Sequence, residues 1–302
     1  MKFSKNTIVA SLVILTIVAV FTFVLEGSQN NNNQVNPNLK RVFISDIVYD
    51  ENNSNKYKSI IQKVLFNKES NLIELKVNDS IQFLNKSKLT ELNEFDLNRS
   101  LLIKVPDTSL NMNISSIIFL NNTFHLRGAP YDDLANESFY FLDKNNRLLN
   151  KKTDTIIQNS DYALEGFYCA SEDYFAYISM FGSLVFIFDM KGDFKFRFNT
   201  IDNSGVPKVI VSSRYRRRAA SSMVINSSAS IYQDKLVVLS NIRDDVNHKA
   251  FDVYDLKNNG KYLYSLKVKR DTLGYMATFF AMENDSLFYI TFNKNIVIGK
   301  SK

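Results

Sequence analysis

"FDVYDLKNNGKYLYSLKV", residues 251–268, alternates apolar and polar residues, turns on Lys-Asn-Asn-Gly, and alternates again. A period of two places successive side chains on opposite faces of a strand, and an Asn-Gly turn supplies the positive φ of a tight hairpin. This stretch therefore predicts two antiparallel strands. Its fold-deciding value comes from its echoes. "SFYFLDKNNRLLN" (138–150) and "LVFIFDMKGDFKFRF" (184–198) also end the first strand on an Asp, at Asp143 and Asp189, as Asp255 does here. Each Asp can accept backbone N–H groups of its own turn, while Gly192, Gly260 or an Asn takes the left-handed conformation. A fainter copy, "IQFLNKSKLTEL" (81–92), carries Asn85 at the Asp position.

Each hairpin follows a further short strand, in "NNTFHLRG" (121–128), "EDYFAYISM" (172–180) and "QDKLVVLSN" (233–241). The unit is strand, turn, strand, longer loop, strand, turn, strand. Marker positions 85, 143, 189 and 255 lie 58, 46 and 66 residues apart, irregular but near the roughly 40–50 residues of one propeller blade. The C-terminal "MATFFAMENDSLFYITFNKNIVIGKSK" offers three strands, at 276–282, 286–292 and 295–299, where four are needed. "RVFISDIVY" (41–49) can supply the fourth, closing the ring and covering an exposed edge. The 263 residues from 40 to 302, at about 44 per blade, give about six blades. Helical spacing is scarce, so the expected class is all-β, with a pair of β-sandwiches as the alternative architecture.

With its "FLDKNN", "FDMKGD" and "YDLKNNG" hairpins, the chain resembles six-bladed β-propeller proteins of the NHL/TolB-like type found in bacterial envelopes. The resemblance covers most of 40–302 and concerns the scaffold, which serves many roles. It implies a propeller; it implies no particular ligand.

The first 25 residues carry a separate signal. Lys2 and Lys5 precede a charge-free stretch, 6–25, whose centre is "IVASLVILTIVAVFTFVL". Twenty helical residues at ~1.5 Å each span about the hydrocarbon core of a bilayer, longer than the usual apolar region of a signal peptide. Residues 1–25 are expected to anchor the chain, with a cleaved signal as the alternative. The leading lysines would leave the N-terminus in the cytoplasm and the rest outside, at the cell membrane, or secreted or periplasmic after cleavage. Residues 26–39, "EGSQNNNNQVNPNL", have little to bury and read as a flexible linker. The folded domain is expected at 40–302.

In a propeller the loops between second and third strands and between successive blades share one face. Here that face would hold "LRGAPYDDLANE" (126–137), "IDNSGVPKVIVSSRYRRRAASS" (201–222), "NIRDDVNHKA" (241–250) and "KVKRDTLGY" (267–275). Long loops on rigid strands concentrate binding groups. The candidate ligand-binding residues are Arg127, Tyr131, Asp132, Arg214, Tyr215, Arg216, Arg217, Arg218 and Arg243. Arginines at 214 and 216–218 can grip carboxylate or phosphate groups and Tyr215 can stack on a ring. They can equally pair with the acid doublets at 132–133 and 244–245.

The net charge of +6 comes from interspersed acids and bases, so no nucleic-acid partner is expected. Two histidines and one cysteine, Cys169, cannot assemble a histidine-rich metal centre or an internal disulfide, and no cofactor or metal is expected. No catalytic motif is present. The leading expectation is a membrane-anchored, extracytoplasmic, non-catalytic propeller that binds a protein, peptide or glycan through its loop-rich face. The alternative is an envelope hydrolase or lyase using carboxylates that face the central channel. A structural scaffold without a specific ligand is a third.

Overall fold

The computed structural model describes residues 40–67, 70–78, 80–92, 112–120, 123–131, 138–143, 145, 147–152, 165–205, 209–211, 216–218 and 223–302. Every regular element among them is a β-strand. The expected membrane segment (1–25) and linker (26–39) lie outside these residues, and no helix among the described residues is long and apolar enough to cross a membrane.

The strands group into five antiparallel units, entered after the N-terminal strand β1 (Phe43–Lys56). The first holds β2 (Ile61–Asn67), β3 (Leu72–Val77) and β4 (Ser80–Asn85). The second holds β5 (Met112–Leu120), β6 (Thr123–Pro130), β7 (Ser138–Asp143) and β8 (Leu148–Lys152). The third holds β9 (Gly166–Ala170), β10 (Tyr174–Ser179), β11 (Leu184–Asp189) and β12 (Phe194–Asn199). A short pair, β13 (Val209–Val211) and β14 (Arg216–Arg218), comes next. The fourth unit holds β15 (Asn226–Tyr232), β16 (Lys235–Ser240), β17 (His248–Asp255) and β18 (Lys261–Lys269). The fifth holds β19 (Phe279–Met282), β20 (Leu287–Phe292) and β21 (Asn295–Ser301), with β1 as its outer strand.

The first strands of the units neighbour one another: β19 touches β2 and β15, and β9 touches β15 and β5. The arrangement is propeller-like, and it replaces the alternative of two packed sandwiches. About six units were expected from length, and the described residues form five. Between the third and fourth units the described strands are the β13–β14 pair.

The hairpins form as their turn chemistry predicts. Asp143 Oδ1 accepts the amides of Asn145 and Arg147 at 2.8 Å each, and Asp189 Oδ1 those of Lys191 (2.9 Å) and Asp193 (3.0 Å). Asp255 Oδ1 accepts the Lys257 amide at 2.9 Å, and Asn85 Oδ1 takes the amides of Ser87 and Lys88 in the fainter copy. Gly192 and Gly260 sit at φ +86° and +76°.

Closure by the N-terminal strand is also present. β1 runs parallel to β18 over 43–47, breaks register, and then pairs antiparallel with β21, Val48 opposite Lys300 and Lys56 opposite Asn295. The side chain of Arg41, just before it, is fully buried. Its Nε and Nη2 donate to the two carboxylate oxygens of Asp252 at 2.8 Å each, and its Nη1 to Ile242 O (2.8 Å) and Asp244 Oδ1 (2.9 Å). Ser265 Oγ donates to Asp252 Oδ1 at 2.5 Å, so the principal acceptor of this buried charge is itself held.

The core is divided among the unit interfaces. Phe251 of the fourth unit and Phe280 of the fifth stack with centroids 4.4 Å apart in one cluster. Ile178 meets Ala229 and Leu236 in the cluster between units three and four. Ile73 and Leu75 meet Ala281 and Tyr289 between units one and five, and Phe139 meets Tyr177 and Phe186 between units two and three. The third, fourth and fifth sheets thus have neighbours on both faces, which explains strands such as β17 that are buried almost throughout.

Candidate functional site

The sequence-predicted residues separate once folded. Arg127, on β6, is 2% exposed, its guanidinium 4.8 Å from the Phe139 ring centre and 5.2 Å from that of Tyr177. It lies in the aromatic interface of units two and three. His125, on the same strand, is likewise buried, 4.4 Å from the Phe175 ring and 5.3 Å from Phe141. Tyr131 is exposed. Asp132, Arg214 and Tyr215 lie outside the described residues. Arg216, Arg217 and Arg218 form β14, opposite Val211, Ile210 and Val209. Arg243, in the β16–β17 connection, is 1% exposed and donates to Val246 O at 3.0 Å. Of the nine, Arg216, Arg217 and Arg218 share one strand, while Arg127 and Arg243 are buried in separate parts of the fold.

Other residues come together at the loop end. A groove of about 680 Å³ opens between the β1–β2 connection and the β3–β4 turn, lined by Lys56, Tyr57, Lys58, Gln82 and Glu91 among others. That volume lies within the range of small-molecule sites. The Tyr57 amide donates to Lys294 O at 2.8 Å. Asn55 Nδ2 donates both to the Tyr57 hydroxyl (3.2 Å) and to Leu89 O (2.9 Å), so the ring is fixed. Burial, then the nearby Glu91 carboxylate, pushes the Tyr57 phenol above its ordinary value and keeps it a neutral hydroxyl. Gln82 Oε1 is buried and has no hydrogen-bond partner among the described residues. A buried amide oxygen without a donor is costly and marks a position where a ligand N–H is favoured. The two lysines and Glu91 add opposite charges within one groove. Nothing in the local sequence distinguishes Gln82 from the other polar residues of its strand, and only the fold reveals it.

Lys63 on β2 and Cys169 on β9 belong to the first and third units, and their ionisable groups influence one another. Burial lowers the Lys63 ammonium and raises the Cys169 thiol, which is therefore held protonated. Among the described residues no three His, Cys, Asp or Glu side chains gather closely enough to hold a metal ion.

A third cluster joins the β16–β17 connection to the segment before β19. Lys249 Nζ donates to Ala277 O at 2.7 Å in a buried site. Arg270 Nη2 donates to Val246 O at 2.8 Å, the same oxygen that Arg243 uses. Burial, followed by the Arg243 charge, pulls the Lys249 amine down to about 7.

The sequence matches no family model and no curated protein. Among solved structures it is similar to the crystal structure of Myxococcus xanthus glutaminyl cyclase, at 8% identity and a TM-score of 0.44, over 87% of this chain and 100% of that one. The expectation of a non-catalytic protein gripping a macromolecule or glycan through its loop-rich face is corrected here: two of the arginines it relies on, Arg127 and Arg243, are buried inside the fold.

Proposed function

We infer that the protein takes a small dipolar molecule of amino-acid type into the groove between the β1–β2 connection and the β3–β4 turn. The observation that carries this is the buried, donor-less Gln82 Oε1 lining a groove that also presents Lys56, Lys58 and Glu91. A ligand ammonium or amide N–H meets Gln82 and Glu91, and its carboxylate meets Lys56 or Lys58. The Tyr57 hydroxyl, neutral and oriented, supplies a further hydrogen bond. On the scaffold, the same proposal treats the five units as propeller blades of the NHL/TolB-like type, supported by the Asp-capped hairpins and by β1 completing the last sheet.

The test is a thermal-shift and calorimetric titration of the full chain with the free amino acids one at a time. At least one should raise the melting temperature saturably. Gln82→Leu and Glu91→Gln should each weaken that response about tenfold or more, the loss expected for a buried polar pair. A chain that none of them stabilises, or one whose response survives both substitutions, overturns the reading.

A further inference from the structure

The seam where β1 joins the fourth and fifth units has an outer face. Ile47 of β1 and Val268 of β18 are paired, and both belong to the core between those units. A period of two turns their neighbours outward. Asp46 thus shares the outer face with Lys267, its partner on β18, and Val48 shares it with Lys300, its partner on β21. Lys269 joins them, its Nζ 3.8 Å from Asp46 Oδ2. Lys267 Nζ stands 4.6 Å from the centre of the Phe43 ring, so that ring faces outward as well. Val48 is 46% exposed, and Val42 and Ile44, on either side of Phe43, are 58% and 59% exposed. Leu287 of β20, opposite Lys300, extends the apolar part. Three lysines therefore stand among exposed apolar side chains. Asp46 is the acid among the paired positions, and Asp50 follows where the pairing of β1 with β21 breaks register.

This mixture selects the partner. A soluble polyanion would engage the lysines and leave Val42, Ile44 and Val48 in water, and an apolar protein surface would leave the lysines without counter-charge. A bilayer surface with anionic lipid answers both, its phosphates meeting the ammonium groups while apolar side chains and lysine stems enter the headgroup boundary. The sequence leading into this strand points the same way. The charge-free, apolar residues 6–25 are joined to Lys40 by residues 26–39, which reach at most about 50 Å even fully extended. We propose that the outer face of β18, β1 and β21 rests on an anionic phospholipid bilayer, with Phe43, Val48 and the flanking Val42 and Ile44 at the headgroup boundary and Lys267, Lys269 and Lys300 on lipid phosphates.

The experiment is fluorescence quenching on the full chain in vesicles of phosphatidylglycerol and phosphatidylcholine that carry a lipid-borne quencher. With Cys169→Ala, a single dye is placed at Val48→Cys, or for comparison at Lys191→Cys, an exposed position in the β11–β12 turn of the third unit. The account expects quenching at position 48 several-fold above that at 191. It should fall to the level at 191 in Lys267→Glu/Lys300→Glu, and in vesicles of phosphatidylcholine alone. A dye at Ile44→Cys, outside the paired positions, should repeat the pattern at 48. Equal quenching at 48 and 191, quenching at 48 that survives the charge reversal, or a dye shielded by heparin while vesicles leave it in water each overturns the proposal.

Discussion

At the residue scale the N-terminal strand is anchored by the buried side chain of Arg41. Arg41 is held by Asp252, Asp244, a backbone carbonyl and, through Asp252, by Ser265. Removing one member of such a set leaves an unmatched buried charge, at a cost of about 3–5 kcal/mol. Arg41→Met should therefore lower the unfolding free energy measured in urea by that much, and a change below about 1 kcal/mol would show the pair to be incidental. Lys249 gives a pH signature of opposite character. Its folded value of about 7 lies below the unfolded lysine value. Between these two values the unfolded chain binds the additional proton, so stability rises with pH from about 7 to about 10. Below pH 7 both states are protonated and the burial cost is fully present. Lys249→Met should flatten that slope in urea melts across this window, and an unchanged slope would place the titration elsewhere. The neighbours Arg243, Arg270, Asp245 and His248 remain in the variant and provide the background.

At the scale of elements, what the sequence disclosed was local and what it hid was tertiary. Asp143, Asp189, Asp255 and Asn85 cap their own turns within four residues, so their role can be read from a few letters. Arg127 could not be placed that way. Its strand alternates as a surface strand does, and only the neighbouring unit, bringing Tyr177 beside Phe139, buries it. Lys249 left a trace, a cation inside a stretch that β17 buries on both faces, whereas Gln82 left none. The turn glycines link the two scales. Gly260 needs φ +76°, and a Cβ there would meet the Phe198 ring of the preceding unit at 2.1 Å, whereas Gly205 faces open space. Gly260→Ala should cost about 1–3 kcal/mol from backbone strain and the clash. Gly205→Ala should stay within about 0.5 kcal/mol. Equal costs in paired denaturation curves would mean that the hairpin turn does not seat against its neighbour.

At the scale of the whole molecule, the described residues form five units whose core is divided among the interfaces between them. The N-terminal strand is the joint, since β1 touches both the fourth unit through β18 and the fifth through β21. This much the missing fourth strand of the C-terminal unit announced in advance. The measurement that tests this closure most directly is a cross-link across its seam. Val48 and Lys300 are opposed, exposed partners on β1 and β21, at a separation that antiparallel pairing brings within disulfide reach. In Val48→Cys/Lys300→Cys, with buried Cys169 replaced by Ala, oxidation should join the two positions nearly completely and raise the melting temperature. Two free thiols in the folded, oxidised protein would show that the N-terminal strand does not close the ring.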